Sequence, residues 1–361
     1  MSIAFNQARW GRVKQAHRAW WDGSLNRPLI PVWVRNRTPQ RSQPKAPLLT
    51  QATCTDRTIP AEDLIDRLDY ELSLFTFYGD AYPFINFSCF GPGVLAALLG
   101  AKLDNSSGRV WFHPKQEAHL AELHFAFDPD NVWFRRIAEL YEAGMRRWSG
   151  AVLMGMTDLG GTLDILSSFR PSDQLPMDLY DQPDEVKRLI WEIHEAWHQC
   201  YQAFNEVLQP VNPGYGDWTK IYAEKPSYVL QCDFAYMISP SMFNEFAKPE
   251  LEVSVAKLAH TFYHLDGVGQ LAHLPSILSI EDLRGVQWIP GAGQPSAAHW
   301  PEVFQQIRAA GKHIQFYGGF SELAAVRDQL GGDLKGVHLW TDILDEAGIV
   351  EHRLQEFGVE P

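Results

Sequence analysis

Eight short apolar runs, each closed by a turn signal, limit what this 361-residue chain can fold into more than any other feature. They are PLIPVWV (28–34), YPFINF (82–87), GAVLMGM (150–156), YVLQCD (228–233), TFYHLD (261–266), GVQWIPG (285–291), HIQFYG (313–318) and GVHLWT (336–341). Their β-branched and aromatic content predicts buried strands. Between them lie segments of helical period. Residues 181–208 carry a stripe of Val186, Leu189, Ile190, Ile193, Trp197, Tyr201 and Phe204, with Asp181 as the expected N-cap. Residues 129–148 repeat the pattern behind Asp128 as cap, with Pro129 at the first helical position. Ser239 and Pro240 open another helix, which Pro249 is expected to interrupt before a second one starts at Glu250. WPEVFQQIRAAGK, SELAAVRDQLGG and DEAGIVEHRLQEFG each end at glycine, a common helix stop. Alternating strand and helix around eight apolar strands predicts an α/β chain, a single (β/α)8 TIM barrel over residues 1–361. Residues 88–127 interrupt the alternation. CFGPG and the hairpin-like KLDNSSGRVWFHP predict an insertion after the second strand, over one mouth of the barrel.

Composition narrows the partners. With 31 Lys+Arg against 44 Asp+Glu, the net charge of −13 repels phosphate backbones and anionic lipids, so neither nucleic acid nor a membrane is expected. No apolar run reaches the ~18 residues of a membrane span, and the opening residues lack a signal-peptide core. Cys54, Cys89, Cys200 and Cys232 lie far apart, which fits a reducing cytoplasm and no cysteine-rich zinc site.

In a barrel of this kind, chemistry sits where the strands end. The residues there are Arg35 and Arg37, Asn86 and Ser88, Thr157 and Asp158, Asp233, His264 and Asp266, Gln294, Tyr317, and Thr341 and Asp342, with His338 inside the last strand. His264 and Asp266 are two apart and share a strand face. They can form a structural pair, handle a proton or hold a metal. His273, further along, reads as a capping or solvated neighbour. Asp233 either caps the helix at Ser239–Pro240 or works at the mouth. The arginines suit an anion, and Trp218 in PGYGDWTK suits a substrate-facing ring. HEAWH (194–198) matches the H-E-x-x-H of zinc peptidases, but Ile193, Trp197 and Tyr201 form its helix's buried stripe, which sets both histidines on a flank.

Several stretches resemble the uroporphyrinogen decarboxylase superfamily, which includes cobalamin-dependent methyltransferases. IPVWVRNRTPQ resembles its first-strand arginine motif, and YPFINFSCFGPG its second-strand segment. VLQCDFAYMISPSMFNEF resembles its aspartate-to-L-S-P segment, and FYHLDG the methyltransferases' strand ending H-x-C-G. The resemblance spans roughly residues 15–355 and implies the barrel, a group-transfer or lyase activity, and by analogy a homodimer. Two departures matter. Cys89 stands where the decarboxylases carry a pyrrole-binding aspartate, and Asp266 stands where the methyltransferases carry a zinc-binding cysteine. What the resemblance implies is methyl or related group transfer from a small polar substrate, with a corrinoid-carrying protein as partner. Zinc or another divalent ion would sit on His264, Asp266 and Asp342. Asp233, His264 and Asp266 are the catalytic candidates; Arg35, Arg37, Asn86, Trp218, Tyr317 and His338 are the substrate-binding ones. Two alternatives stay open: a metal-free decarboxylase or lyase using Asp233 and His264, and a non-catalytic binding barrel.

Overall fold

The computed structural model describes residues 3–171, 173–209, 211–344 and 347–361. Among these are eleven strands: β1 (Pro31–Arg35), β2 (Phe75–Gly79), β3 (Phe84–Ile85), β4 (Lys102–Asp104), β5 (Trp111–His113), β6 (Leu153–Met154), β7 (Ser227–Gln231), β8 (His260–Asp266), β9 (Gly285–Ile289), β10 (His313–Tyr317) and β11 (Val337–Trp340). Each of the eight apolar runs contains one strand. Of the other three, β4 and β5 form the expected antiparallel hairpin, with Leu103 opposite Phe112. β2 lies in no predicted run and pairs antiparallel with β1.

The chain is an α/β protein built on a parallel sheet of order β11-β10-β9-β8-β7. Sequence neighbours are spatial neighbours, and a helix follows each strand as far as β10: Lys248–Lys257, Leu274–Leu278, Pro301–Ala309 and Phe320–Gln329. β3 and β6 form a second parallel pair. Leu29, entering β1, bridges in parallel to His338 of β11. The segment before β7 joins two walls: Gly216 O accepts from Met156 N at 2.7 Å, and the Asp217 carboxylate accepts from Val229 N at 2.7 Å.

The pleat sorts the side chains by two. On one face, Val286, Trp288, Ile314, Phe316, Val337 and Leu339 pack in the main core with helix residues such as Phe304. The other face carries His260, Phe262, His264 and Asp266 on β8, with Gln287, Gln315 and His338 beside them. Its lower end is closed by the helix Gln7–Trp21, whose Trp20 and Trp21 stack on His313 and His260 at 4.4 and 4.3 Å. Aromatic rings filling the N-terminal ends leave the C-terminal ends as the open side.

Three helix boundaries differ from expectation. Asp128 accepts from Asp130 N in a preceding turn, and Asn131 caps Val132–Trp148 by accepting from Trp133 N at 2.9 Å. Asp181 ends a short helix of its own (Leu175–Asp181), and the long helix is Pro183–Leu208. Pro249 does not stop its helix. A π-helical turn at Phe243–Ala247 runs straight into Lys248–Lys257, and the wider turn accommodates the proline's missing N–H and its ring. Ser239 caps as expected, accepting from Met242 N at 3.3 Å. The last helix is Ala347–Glu356; Asp345 and Glu346 of its expected span lie outside the described residues. No helix among the described residues is long and apolar enough to cross a membrane.

Candidate active site

β8 points His264 and Asp266 to the open end of the polar face, and the chain leaves β7 directly into a 3-10 turn, Asp233–Met237. Asp164, in the helix Thr162–Ser167, fixes that exit: its two carboxylate oxygens accept from Asp233 N at 3.0 Å and Phe234 N at 2.7 Å. After Asp266 the chain turns at Gly267 (φ +82°), a left-handed conformation that favours glycine. Two residues on, a Cβ at Gly269 would lie 2.3 Å from the Tyr236 ring, so any larger residue there would have to displace that ring from over the loop.

Asp233, His264 and Asp266 are thereby brought together. One ligand atom from each lies within 4.8 Å of the others, the only such set of three among the described residues. His264 Nε2 stands 3.8 Å from an Asp266 oxygen, with 12% of the His264 side chain and 43% of the Asp266 side chain exposed. Burial lowers the His264 pKa against the opposing pull of Asp266 and Gln287. Asp233 opens to the cleft on one side but is crowded on the others. Burial and then the Asp266 charge raise its pKa, with a hydrogen bond from Gln270 opposing. Asp164 is raised by burial and by Asp233, and Asp158, accepting from Gly160 N at 3.0 Å, is pushed up by burial to about 7.

Behind His264 runs a row of amides. His264 Nδ1 is 2.5 Å from Gln287 Oε1, Gln287 Nε2 donates to Gln315 Oε1 at 2.6 Å, and Gln315 Nε2 donates to Thr219 O at 2.9 Å and faces His338 Nδ1 at 3.1 Å. Trp218 packs edge-on against the His264 ring, 4.9 Å between centroids.

Two cavities lie beside the donors, one reaching Asp266 and the other Asp233. The larger, about 750 Å³, has Asp266, Gln294, Tyr317, Thr341 and Asp342 on its wall. The smaller, about 460 Å³, lies under the β4–β5 hairpin and is lined by Trp111, His113, Asp164, Gln231 and Asp233. Both are rich in carboxylates, and no arginine or lysine among the described residues lines either.

The other predicted residues fall elsewhere. Asp342 is not one of the three converging donors, a correction to the expected metal set. It accepts a hydrogen bond from Tyr317 on the wall of the larger cavity, because its strand is three places from β8 in the sheet. His338 is fully buried at the far end of the amide row, its pKa lowered by burial to about 3. Arg35 lies over Phe75, 3.5 Å from Glu71, and neither it nor Arg37 lines either of these two cavities. Asn86 accepts from Ser88 N at 3.4 Å, and it too lines neither cavity, nor does Trp218. His273 is buried, holding Ala235 O at 2.8 Å behind the Asp233 turn. The HEAWH histidines bind a neighbouring helix: His194 Nδ1 is 3.2 Å from Glu250 and His198 Nε2 is 3.1 Å from Ser254 Oγ.

Asp164, Gln270, Gln287 and Gln315 were not anticipated. For the last two a signal existed, since GVQWI, HIQFY and VHLW each hold one polar residue inside an apolar strand.

No protein-family model matches the chain, and no curated protein sequence does. Among solved structures, it is similar to a methyltransferase from Methanosarcina mazei, with a TM-score of 0.60 over 96% of this chain and 99% of that one. Identity between the two is 14%, so the likeness is one of fold.

Proposed function

We propose that the chain is a metal-dependent group-transfer enzyme, methyltransferase-like, on a closed (β/α)8 barrel of the uroporphyrinogen decarboxylase type. The observation that carries this reading is the convergence of Asp233, His264 and Asp266 at the strand ends, with Asp266 on the wall of one cavity and Asp233 on the wall of another. One imidazole and two carboxylates form a hard, oxygen-rich donor set that suits zinc or another divalent ion with positions left open. Such an ion supplies Lewis acidity toward a substrate atom. The chain's own residues do the rest. Asp164 pins the backbone of Asp233, Gln287 holds the His264 ring, and the two cavities give a small polar donor and an acceptor separate seats. The parallel bridge from Leu29 to His338 supports closure of the barrel.

A corrinoid-carrying protein fits as the acceptor. Trp111, Tyr236, Met237, Tyr317 and Ile343 are exposed on the hairpin and loops at this end of the sheet. A homodimer is part of the same reading by analogy, and four unpaired cysteines accord with a reducing compartment. A second reading, a metal-free lyase, is favoured by one observation: Asp233, its pKa raised by burial and Asp266, is suited to hold a proton that it could pass beside His264.

Elemental analysis of protein purified without a histidine tag separates the two. The metal reading expects near-stoichiometric divalent metal that is lost in His264→Ala. Wild-type protein that stays metal-free after Zn²⁺ addition and dialysis overturns it in favour of the lyase.

A further inference from the structure

The row from His264 to Thr219 crosses three adjacent strands in register: His264 opposite Gln287, Gln287 opposite Gln315, and Gln315 opposite His338. Its far end is a backbone carbonyl, Thr219 O, which can only accept a hydrogen bond. That single constraint propagates. The Gln315 amide must turn its NH2 to Thr219 O, at 2.9 Å, so its Oε1 faces Gln287. Gln287 must then donate to that oxygen at 2.6 Å, which turns its own Oε1 to His264. An amide oxygen 2.5 Å from a ring nitrogen requires N–H on the ring. Any one flip would set oxygen against oxygen or nitrogen against nitrogen in a fully buried row; Gln287, Gln315 and His338 are each 0% exposed.

We infer that Gln287 and Gln315 are positioning residues that lock His264 as its Nδ1–H tautomer and leave the Nε2 lone pair aimed at Asp233 and Asp266. The second proton on Gln315 Nε2 meets His338 Nδ1, so His338 is the opposite tautomer, Nε2–H. The tautomer assignment is independent of any metal; its consequence for metal binding rests on the reading proposed above. Nε2 is the atom with which His264 joins the donor set, and an imidazole whose other nitrogen is held by a hydrogen bond is a stronger, better-aimed ligand. Thr219 O is itself held in place, because Asp217 accepts from Thr219 N at 2.9 Å and from Thr219 Oγ1 at 2.5 Å.

The test is a long-range ¹H–¹⁵N correlation spectrum of full-length, metal-stripped protein labelled with ¹⁵N-histidine. His264 and His338 are assigned by their loss in His264→Asn and His338→Asn. Wild type is expected to show Nδ1–H for His264 and Nε2–H for His338. Gln287→Leu is expected to release His264 toward Nε2–H and to weaken Zn²⁺ binding roughly 10–100-fold. Gln315→Leu, which does not touch His264, should give a mixture of tautomers. Gln287→Glu should keep Nδ1–H, because a carboxylate still accepts that bond. An Nε2–H His264 in the wild-type spectrum overturns the inference, even if no variant folds. So does a His264 tautomer unchanged in Gln287→Leu. If His264 is Nδ1–H but Zn²⁺ does not bind, the relay stands and the metal reading fails.

Discussion

His194 shows how a motif residue is spent on packing. Its Nδ1 meets Glu250, 4% exposed, and the other oxygen of Glu250 accepts from Thr162 Oγ1 at 3.0 Å. The three tie two outer helices to the segment carrying Asp164. Truncating His194 to alanine strips a partner from a buried carboxyl, which costs about 2–3 kcal/mol. His194→Ala should therefore lower the urea midpoint while leaving divalent metal content at the wild-type level. Metal lost from a folded His194→Ala protein would return the H-E-x-x-H motif to consideration. The residues that matter most near His264 were legible in another way. A glutamine in the middle of GVQWI or HIQFY breaks an apolar run, and a buried amide needs partners. The sequence shows that such partners exist; the register shows that they are each other.

At the scale of elements, the site depends on close contact between the helix Thr162–Ser167 and β7. A Cβ on Gly161 would stand 2.1 Å from Gln231 O and 2.6 Å from the Asp164 carboxylate. A backbone carbonyl within a sheet cannot yield, so Gly161→Ala forces the helix start away from β7. The expected outcome is a loss of about 1–3 kcal/mol in thermal unfolding, with weakened Zn²⁺ binding as Asp164 leaves the Asp233 turn. Wild-type stability and affinity in this variant would show that the contact is dispensable. Strand runs were readable because side-chain alternation and turn residues act locally. Helix starts were less so: Asp128, Asn131 and Asp181 are all capping types, and competition among adjacent hydrogen bonds decides which one caps. The helix runs on through Pro249 because a π-turn precedes it, an irregularity that side-chain periodicity does not encode.

For the whole molecule, burial of histidine sets the response to acid. His17, His198, His260, His273, His313 and His338 all have pKa values lowered by desolvation, His198 and His338 to about 3 and His260 and His313 to about 4. The unfolded chain takes up these protons near pH 6.5, so the stability they protect is present above that pH and is lost as pH falls toward 4. Asp158, Asp164, Asp217 and Asp233, all raised by burial, act in the opposite sense, because the folded state takes up their protons first. With His264 lowered by burial as well, the lowered histidines outnumber the raised acids, so these groups together favour proton uptake by the unfolded state. Stability should therefore fall as the pH drops from about 6 to about 4.5, because the unfolded state binds more protons than the folded one there. Urea titrations at pH 7.5, 6 and 5 measure this, and a midpoint that holds steady or rises on acidification contradicts it.

The sequence by itself determined the eight core strands, the helices between them, the β4–β5 hairpin and the placement of His264 and Asp266 at one end of a strand. These follow from periodicity and turn chemistry within a few residues. Only the tertiary structure decided that Asp233, and not Asp342, lies beside His264 and Asp266, that Arg35 and Arg37 stay outside the two cavities, and that Gln287, backed by Gln315, meets the histidine ring. Those outcomes depend on strand order, register and the path of the loops, which are settled by packing between segments far apart in the chain.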